Sequence, residues 1–106
     1  MQTPTTAPCA QALTLHDGDD VAVMVSDGIS GQHCAIRNHS GEHSTLLLQT
    51  NVPFGHKLAI RSLDTGSVVI KYGQPIGLAL EAIAAGAHVH THNMGGYRSN
   101  LRGDKA

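Results

Sequence analysis

Three of the chain's eight histidines, His88, His90 and His92, stand at alternate positions of AGAHVHTHN. A neutral imidazole ligates divalent transition metals, and with a pKa near 6.5 it can give or take a proton close to neutral pH. The run therefore offers metal ligation, acid–base work, or both. Val89 and Thr91 between them are β-branched and favour an extended chain, so the spacing predicts a strand over 87–93. In a strand, residues i, i+2 and i+4 share one face. At a rise of about 3.3 Å per residue, neighbouring imidazoles would stand roughly 6.6 Å apart and the outer two roughly 13 Å apart. His88 and His90 could close on one ion, leaving the third ring to meet a substrate or to support the ligands. The competing reading is a polar strand edge facing water.

Other groups with chemical use are fewer. PFGHK sets His56 and Lys57 after a Pro-x-Gly kink, where a loop would present both to a ligand. Lys71 ends an apolar run before Gly73 and could hold a carboxylate as a point charge. Asn93 closes the histidine run. Taken singly, Lys57 and Lys71 read as ordinary surface lysines. No Ser-His-Asp order stands out, and GISGQH lacks the Lys-Ser/Thr ending of a phosphate loop. Asp17, Asp19 and Asp20 crowd a turn, where aspartate is expected for backbone reasons.

The elements that must position these groups read as short strands. Alternation or β-branching marks 12–16, 21–26, 45–51, 57–62 and 67–72, with a short piece at Cys34–Ile36 inside the Gly/Ser/His-rich segment 27–44. DGDD, VPFGHK, DTG and GQPIG read as turns or bends between them. LALEAIA, 78–84, is expected to start as a strand and end in a single helical turn. LDTGSVV and IAAGAHV share the pattern apolar-x-x-Gly-x-x-Val. GISGQHC keeps its glycine, with Gly28 in place of the leading apolar residue. The echo predicts repeated turn–strand units. One domain over 12–93 is expected, between a flexible lead, 1–11, and a tail, 94–106.

Composition narrows the partners. The 106 residues carry a net charge of −1 with scattered Lys and Arg, which argues against nucleic acid. No apolar run approaches the ~20 residues of a membrane span, and no signal peptide is visible. Aromatic residues are only 3% of the chain, so the core must rest on Val, Ile, Leu and Ala. Cys9 and Cys34 have no zinc spacing, Cys34 reads as a small buried hydrophobe, and a reduced, cytoplasmic setting is expected.

Residues 52–93 resemble the N-terminal SAF domain of the altronate and galactarate dehydratase family. The blocks PFGHK, VIKYGQPIG and IAAGAHVHTHN come in the family's order, and ALTLHDGDDVAV fits that domain's opening. Segment 27–44 fits least. The resemblance implies a mostly β, β-clip fold of short strands with at most one or two short helical turns. It implies dehydration of hydroxylated sugar acids, supported by a divalent metal such as iron(II). It also implies a large catalytic subunit of the same family as partner, as in split members such as sulfolactate sulfo-lyase, so the chain alone is expected to be inactive. Association through an apolar surface, with that partner or a second copy, is expected. On this reading His56, His88, His90 and His92 are catalytic, His88 and His90 ligate metal, and Lys57, Lys71 and Asn93 face an acidic sugar. Whether water or sulfite leaves stays open. The alternative is a non-catalytic SAF-type module that captures a metal or acidic sugar.

Overall fold

The computed structural model describes residues 9–96. Nine short strands follow one another: β1 Ala10–Leu13, β2 Val21–Met24, β3 His33–Arg37, β4 His43–Leu47, β5 Lys57–Ala59, β6 Val68–Lys71, β7 Gln74–Ala79, β8 His88–Val89 and β9 Met94–Gly95. The mostly β character implied by the resemblance is observed, with no helix among the described residues. The turn expected near 84 is replaced by a bend and a single bridge at Ile83. The expected domain limits, 12 and 93, fall beside paired strands, since β1 opens at Ala10 and β9 follows Asn93. Most of the expected lead and tail lies outside the described residues.

The strands form a larger sheet, β4-β3-β1-β2-β5-β8, and a smaller one, β6-β7-β9. Period-2 alternation splits adjacent residues between two cores. Ala10, Ala12, Ala22, Met24, Cys34, Ile36 and Leu58 point to one side and meet Leu48 and Val52. Val21, Ala59 and Val89 point to the other, where Leu63, Val69, Ala79 and Ile83 meet them. Neither core contains an aromatic ring; Phe54 and Tyr72 are exposed. Asp19 and Asp20 tie the two sheets together. The Asp19 carboxylate accepts the Gly73 N–H at 3.0 Å, and that of Asp20 accepts the Ile70 N–H at 2.9 Å and faces the Arg61 guanidinium at 3.4 Å.

The echo in the sequence is a structural unit, and among the described residues four copies of it are bridged in pairs. Units start at Gly28, Val52, Leu63 and Ile83. Three residues on, Gly31, Gly55, Gly66 and Gly86 turn the chain at φ of +88°, +83°, +87° and +92°, a region that disfavours side chains. Six residues on, Cys34, Leu58, Val69 and Val89 are fully buried. The units pair antiparallel, Gly28 with Val52 and Leu63 with Ile83. Each turn glycine donates its N–H to the carbonyl four residues before its partner's start: Gly31 to Leu48, Gly55 to Met24, Gly66 to Ala79, Gly86 to Ala59. The copy at Val52, VPFGHKL, is absent from the sequence reading, because its last apolar residue is Leu rather than Val. Gly28 replaces the apolar start of its unit for want of room: a Cβ there would lie 2.5 Å from Leu48 Cδ1 and 2.7 Å from Met24 Cε.

Two further elements differ from expectation. The bend over 73–77 is only Tyr72–Gly73, at φ of 60° and 71°, the positive pair that a tight hairpin needs. Pro75 lies within β7 opposite Ile70, next to a register shift and away from the β9 pairing at Leu78 and Ala79. A strand tolerates proline where a neighbour is missing. The larger sheet also curls until its ends meet. Gln49 donates to the Gly86 carbonyl at 2.9 Å, and the His88 N–H donates to Thr50 Oγ1 at 3.0 Å.

Candidate metal centre

The seam where the sheet closes carries the histidines. β8 is only His88 and Val89, not the whole of 87–93. His88 lies opposite Leu58 of β5 and Val89 opposite Lys57, so Val89 turns into the second core while His88 stays half-buried on the other face. Past Val89 the chain bends instead of extending. The His90 carbonyl accepts the N–H groups of both Asn93, at 3.1 Å, and Met94, at 2.9 Å.

The bend turns a row of imidazoles into a cluster. The ring centroids of His88 and His90 are 5.4 Å apart and nearly parallel, and those of His88 and His92 are 5.3 Å apart, far closer than the roughly 13 Å a straight strand would give. His56, delivered by the Gly55 turn, joins them at 5.0 Å from His88 and 4.5 Å from His90. One ring nitrogen each of His56, His88 and His90 lie within 4.8 Å of one another. His56 Nδ1 and His88 Nε2 are 2.9 Å apart. Two lone pairs cannot face each other at that distance, so one ring donates its N–H to the other.

This donor set fits a divalent metal. Nitrogens bound at about 2.0–2.1 Å in tetrahedral or octahedral arrangement lie roughly 3 Å apart. The His56–His88 pair already has that spacing, and a ring rotation brings in His90. Burial, then the neighbouring His56, His92 and His90, pushes the His88 pKa below its ordinary 6.5, which keeps that ring neutral and able to ligate. His92 is exposed and falls outside the three-nitrogen group.

The remaining sequence candidates are employed elsewhere. Lys57, paired with Val89, leaves the sheet on the face opposite His88. The Lys71 ammonium sits 4.7 Å over the Tyr72 ring, beside a recess bordered by Leu13, Leu15 and Val23 and by none of the clustered histidines. Asn93 is buried, with both ends of its amide bonded to the backbone of the bend. Thr50, which holds the His88 N–H, was not among the candidates, and nothing in QTN marks it in sequence.

The cluster occupies open surface. A groove of about 420 Å³ lies elsewhere, over a floor of Ile36, Leu46 and Ile60, with His16, His43 and Arg61 on its rim.

A model of the altronate/galactarate dehydratase SAF domain matches residues 10–96. Altronate dehydratase of Escherichia coli (strain K12) is 43% identical over 91 residues, 86% of this chain and 17% of that protein. The (2R)-sulfolactate sulfo-lyase subunit alpha of Chromohalobacter salexigens is 39% identical over 83 residues, 76% of this chain and 88% of that subunit. Galactarate dehydratase (L-threo-forming) of Escherichia coli (strain K12) is 34% identical over 82 residues, 14% of its length. The chain thus spans under a fifth of the two dehydratases and most of the subunit.

Proposed function

The chain belongs to the altronate/galactarate dehydratase SAF domain family, and we propose that it works as the small, metal-holding subunit of a two-chain lyase acting on a sugar acid or related hydroxy acid. The observation that carries this reading is the convergence of His56, His88 and His90 within 4.8 Å on an open surface. Three imidazoles leave coordination positions free for substrate, water or side chains of a second polypeptide. The larger subunit of the same family supplies the facing wall. A relative of nearly the same extent is named as subunit alpha, which supports a partnered arrangement.

Elimination from a hydroxy acid requires removal of the proton beside the carboxylate and help for the leaving group. His56, His88 and His90 would hold a divalent ion such as iron(II), which would supply Lewis acidity to the leaving group. This chain's residues do the rest of the work on their side. His88, with its depressed pKa, stays unprotonated and ligating near pH 7. His92, exposed and outside the ligand group, exchanges a proton with substrate or solvent. Lys57 leaves by the opposite face, so the substrate carboxylate is assigned to the partner. The leaving group is water in a dehydratase and sulfite in a sulfo-lyase, and the geometry of this wall serves either.

A second reading, capture of a metal or acidic sugar without turnover, is favoured by the shallow setting of the cluster. Co-purification with the large-domain product of a neighbouring reading frame, iron(II) loading, and an elimination assay over a panel of hydroxy acids separates the two. Turnover by the complex that disappears with His88→Ala supports the lyase. Metal binding with no turnover on any acid supports the module.

A further inference from the structure

We propose that Asn93 is the positioning residue of the imidazole cluster: a buried amide that folds residues 88–90 into the arc from which the rings converge, and that does not touch substrate. Its importance for metal holding rests on the reading above; its effect on ring geometry stands without it.

Asn93 is 4% exposed. Its Oδ1 accepts the His90 N–H at 2.9 Å, and its Nδ2 donates to the His88 carbonyl at 2.8 Å. Its own N–H donates to the His90 carbonyl at 3.1 Å, and its carbonyl accepts the Leu80 N–H at 2.9 Å, at the end of β7. The two side-chain bonds grip the residues on either side of Val89. They need a donor and an acceptor on one short side chain. Aspartate lacks the donor, alanine lacks both, and glutamine is one methylene longer.

The consequence for the rings is direct. Val89 and Thr91 favour continued extension, which would carry His92 roughly 13 Å from His88. With the amide in place, His88 lies 5.4 Å from His90 and 5.3 Å from His92, ring to ring. Asn93 commits one amide N–H and one Oδ1 lone pair to this, and burial at 4% exposure keeps the rest of the amide from the surface where a ligand would sit. Groups that orient ligands in this way affect metal affinity without contacting the ion.

The test uses the whole chain as Asn93→Asp and Asn93→Ala, with Leu63→Ala as a control buried in the second core and bridged to Ile83. Two measurements are made. Long-range ¹H–¹⁵N spectra of the imidazole nitrogens in metal-free protein read the His56–His88 hydrogen bond. Visible absorption during cobalt(II) titration reads affinity for that metal alone. The expected result is loss of the locked ring signals in both Asn93 variants and cobalt(II) affinity lower by about 10–100-fold. Leu63→Ala should lose stability while keeping the ring signals and the affinity. Unchanged ring signals in Asn93→Asp and Asn93→Ala would overturn the proposal. So would a Leu63→Ala variant, at matched stability, that lost as much affinity as they did. If the unmodified chain bound no cobalt(II), the metal reading would fail, and the ring spectra would still decide the role of Asn93.

Discussion

Gly66 and Gly86 hold the same place in two paired units and nearly the same φ, +87° and +92°, yet their surroundings differ. A Cβ on Gly66 would meet nothing within 4 Å, whereas one on Gly86 would lie 2.2 Å from the Leu47 carbonyl oxygen and 3.3 Å from Gln49 Cγ. Gly66→Ala should therefore cost only the left-handed backbone penalty, about 1–2 kcal/mol. Gly86→Ala carries that penalty and a collision with backbone that cannot rotate away. Relief requires the seam to part, with loss of the Gln49–Gly86 and His88–Thr50 hydrogen bonds, each contributing about 1 kcal/mol net. The total is about 3–4 kcal/mol, so the two variants should differ by about 2 kcal/mol in urea unfolding. In a domain of this size that corresponds to roughly 8–16 °C in Tm. Gly86→Ala should also weaken cobalt(II) binding, because β8 carries His88, while Gly66→Ala should not. Equal destabilisation of the two variants would refute the close approach at the seam and with it the account of how the site is held.

The metal-free chain should lose stability as pH falls through the range just below 6.5, because the folded His88 has a pKa below that of the unfolded chain and so binds fewer protons there; urea unfolding at successive pH values should show a slope that flattens in His88→Ala. Val89 is fully buried, so Val89→Asp should destabilise by more than about 3 kcal/mol, whereas exposed His92→Ala should change unfolding by less than about 0.5 kcal/mol while abolishing turnover by the two-chain complex. Burial raises the Cys34 thiol to about 11, so a thiol reagent should titrate only exposed Cys9 in the native protein and both cysteines in denaturant. The purified chain without a large subunit should show no elimination of water from altronate or galactarate, checked by product formation with iron(II) present.

Much of this was legible from residue types. Alternation locates most strands, and the glycine echo points to a unit of which the structure bridges four copies in pairs. Period-2 reasoning extends the histidine run into a straight strand, whereas β8 is only His88–Val89. What bends it is a side chain at its end, Asn93, whose bonds run back to His88 and His90; no propensity of Val89 or Thr91 reveals that. His56 was a candidate on account of its loop, yet its place against His88 depends on the β5–β8 pairing, thirty-two residues apart in the chain. Pro75 misled because a proline beside glycines reads as a bend unless the missing neighbour strand is known. The face that Lys57 takes is set by its pairing with Val89, which the sequence does not reveal.

The paired units divide the chain into two halves, one bridged between Gly28 and Val52 and the other between Leu63 and Ile83. His56 belongs to the first half and His88 and His90 to the second. Neither half holds all three imidazoles, so on the proposed reading ion binding and docking of the halves would be one thermodynamic event. An ion bound only by the docked form adds to the free energy of docking in proportion to the logarithm of its concentration over its Kd. Such an ion would act as a clasp, drawing His56 of one half against His88 and His90 of the other. On that reading, metal supply would govern how firmly the two halves stay docked where His56 meets His88.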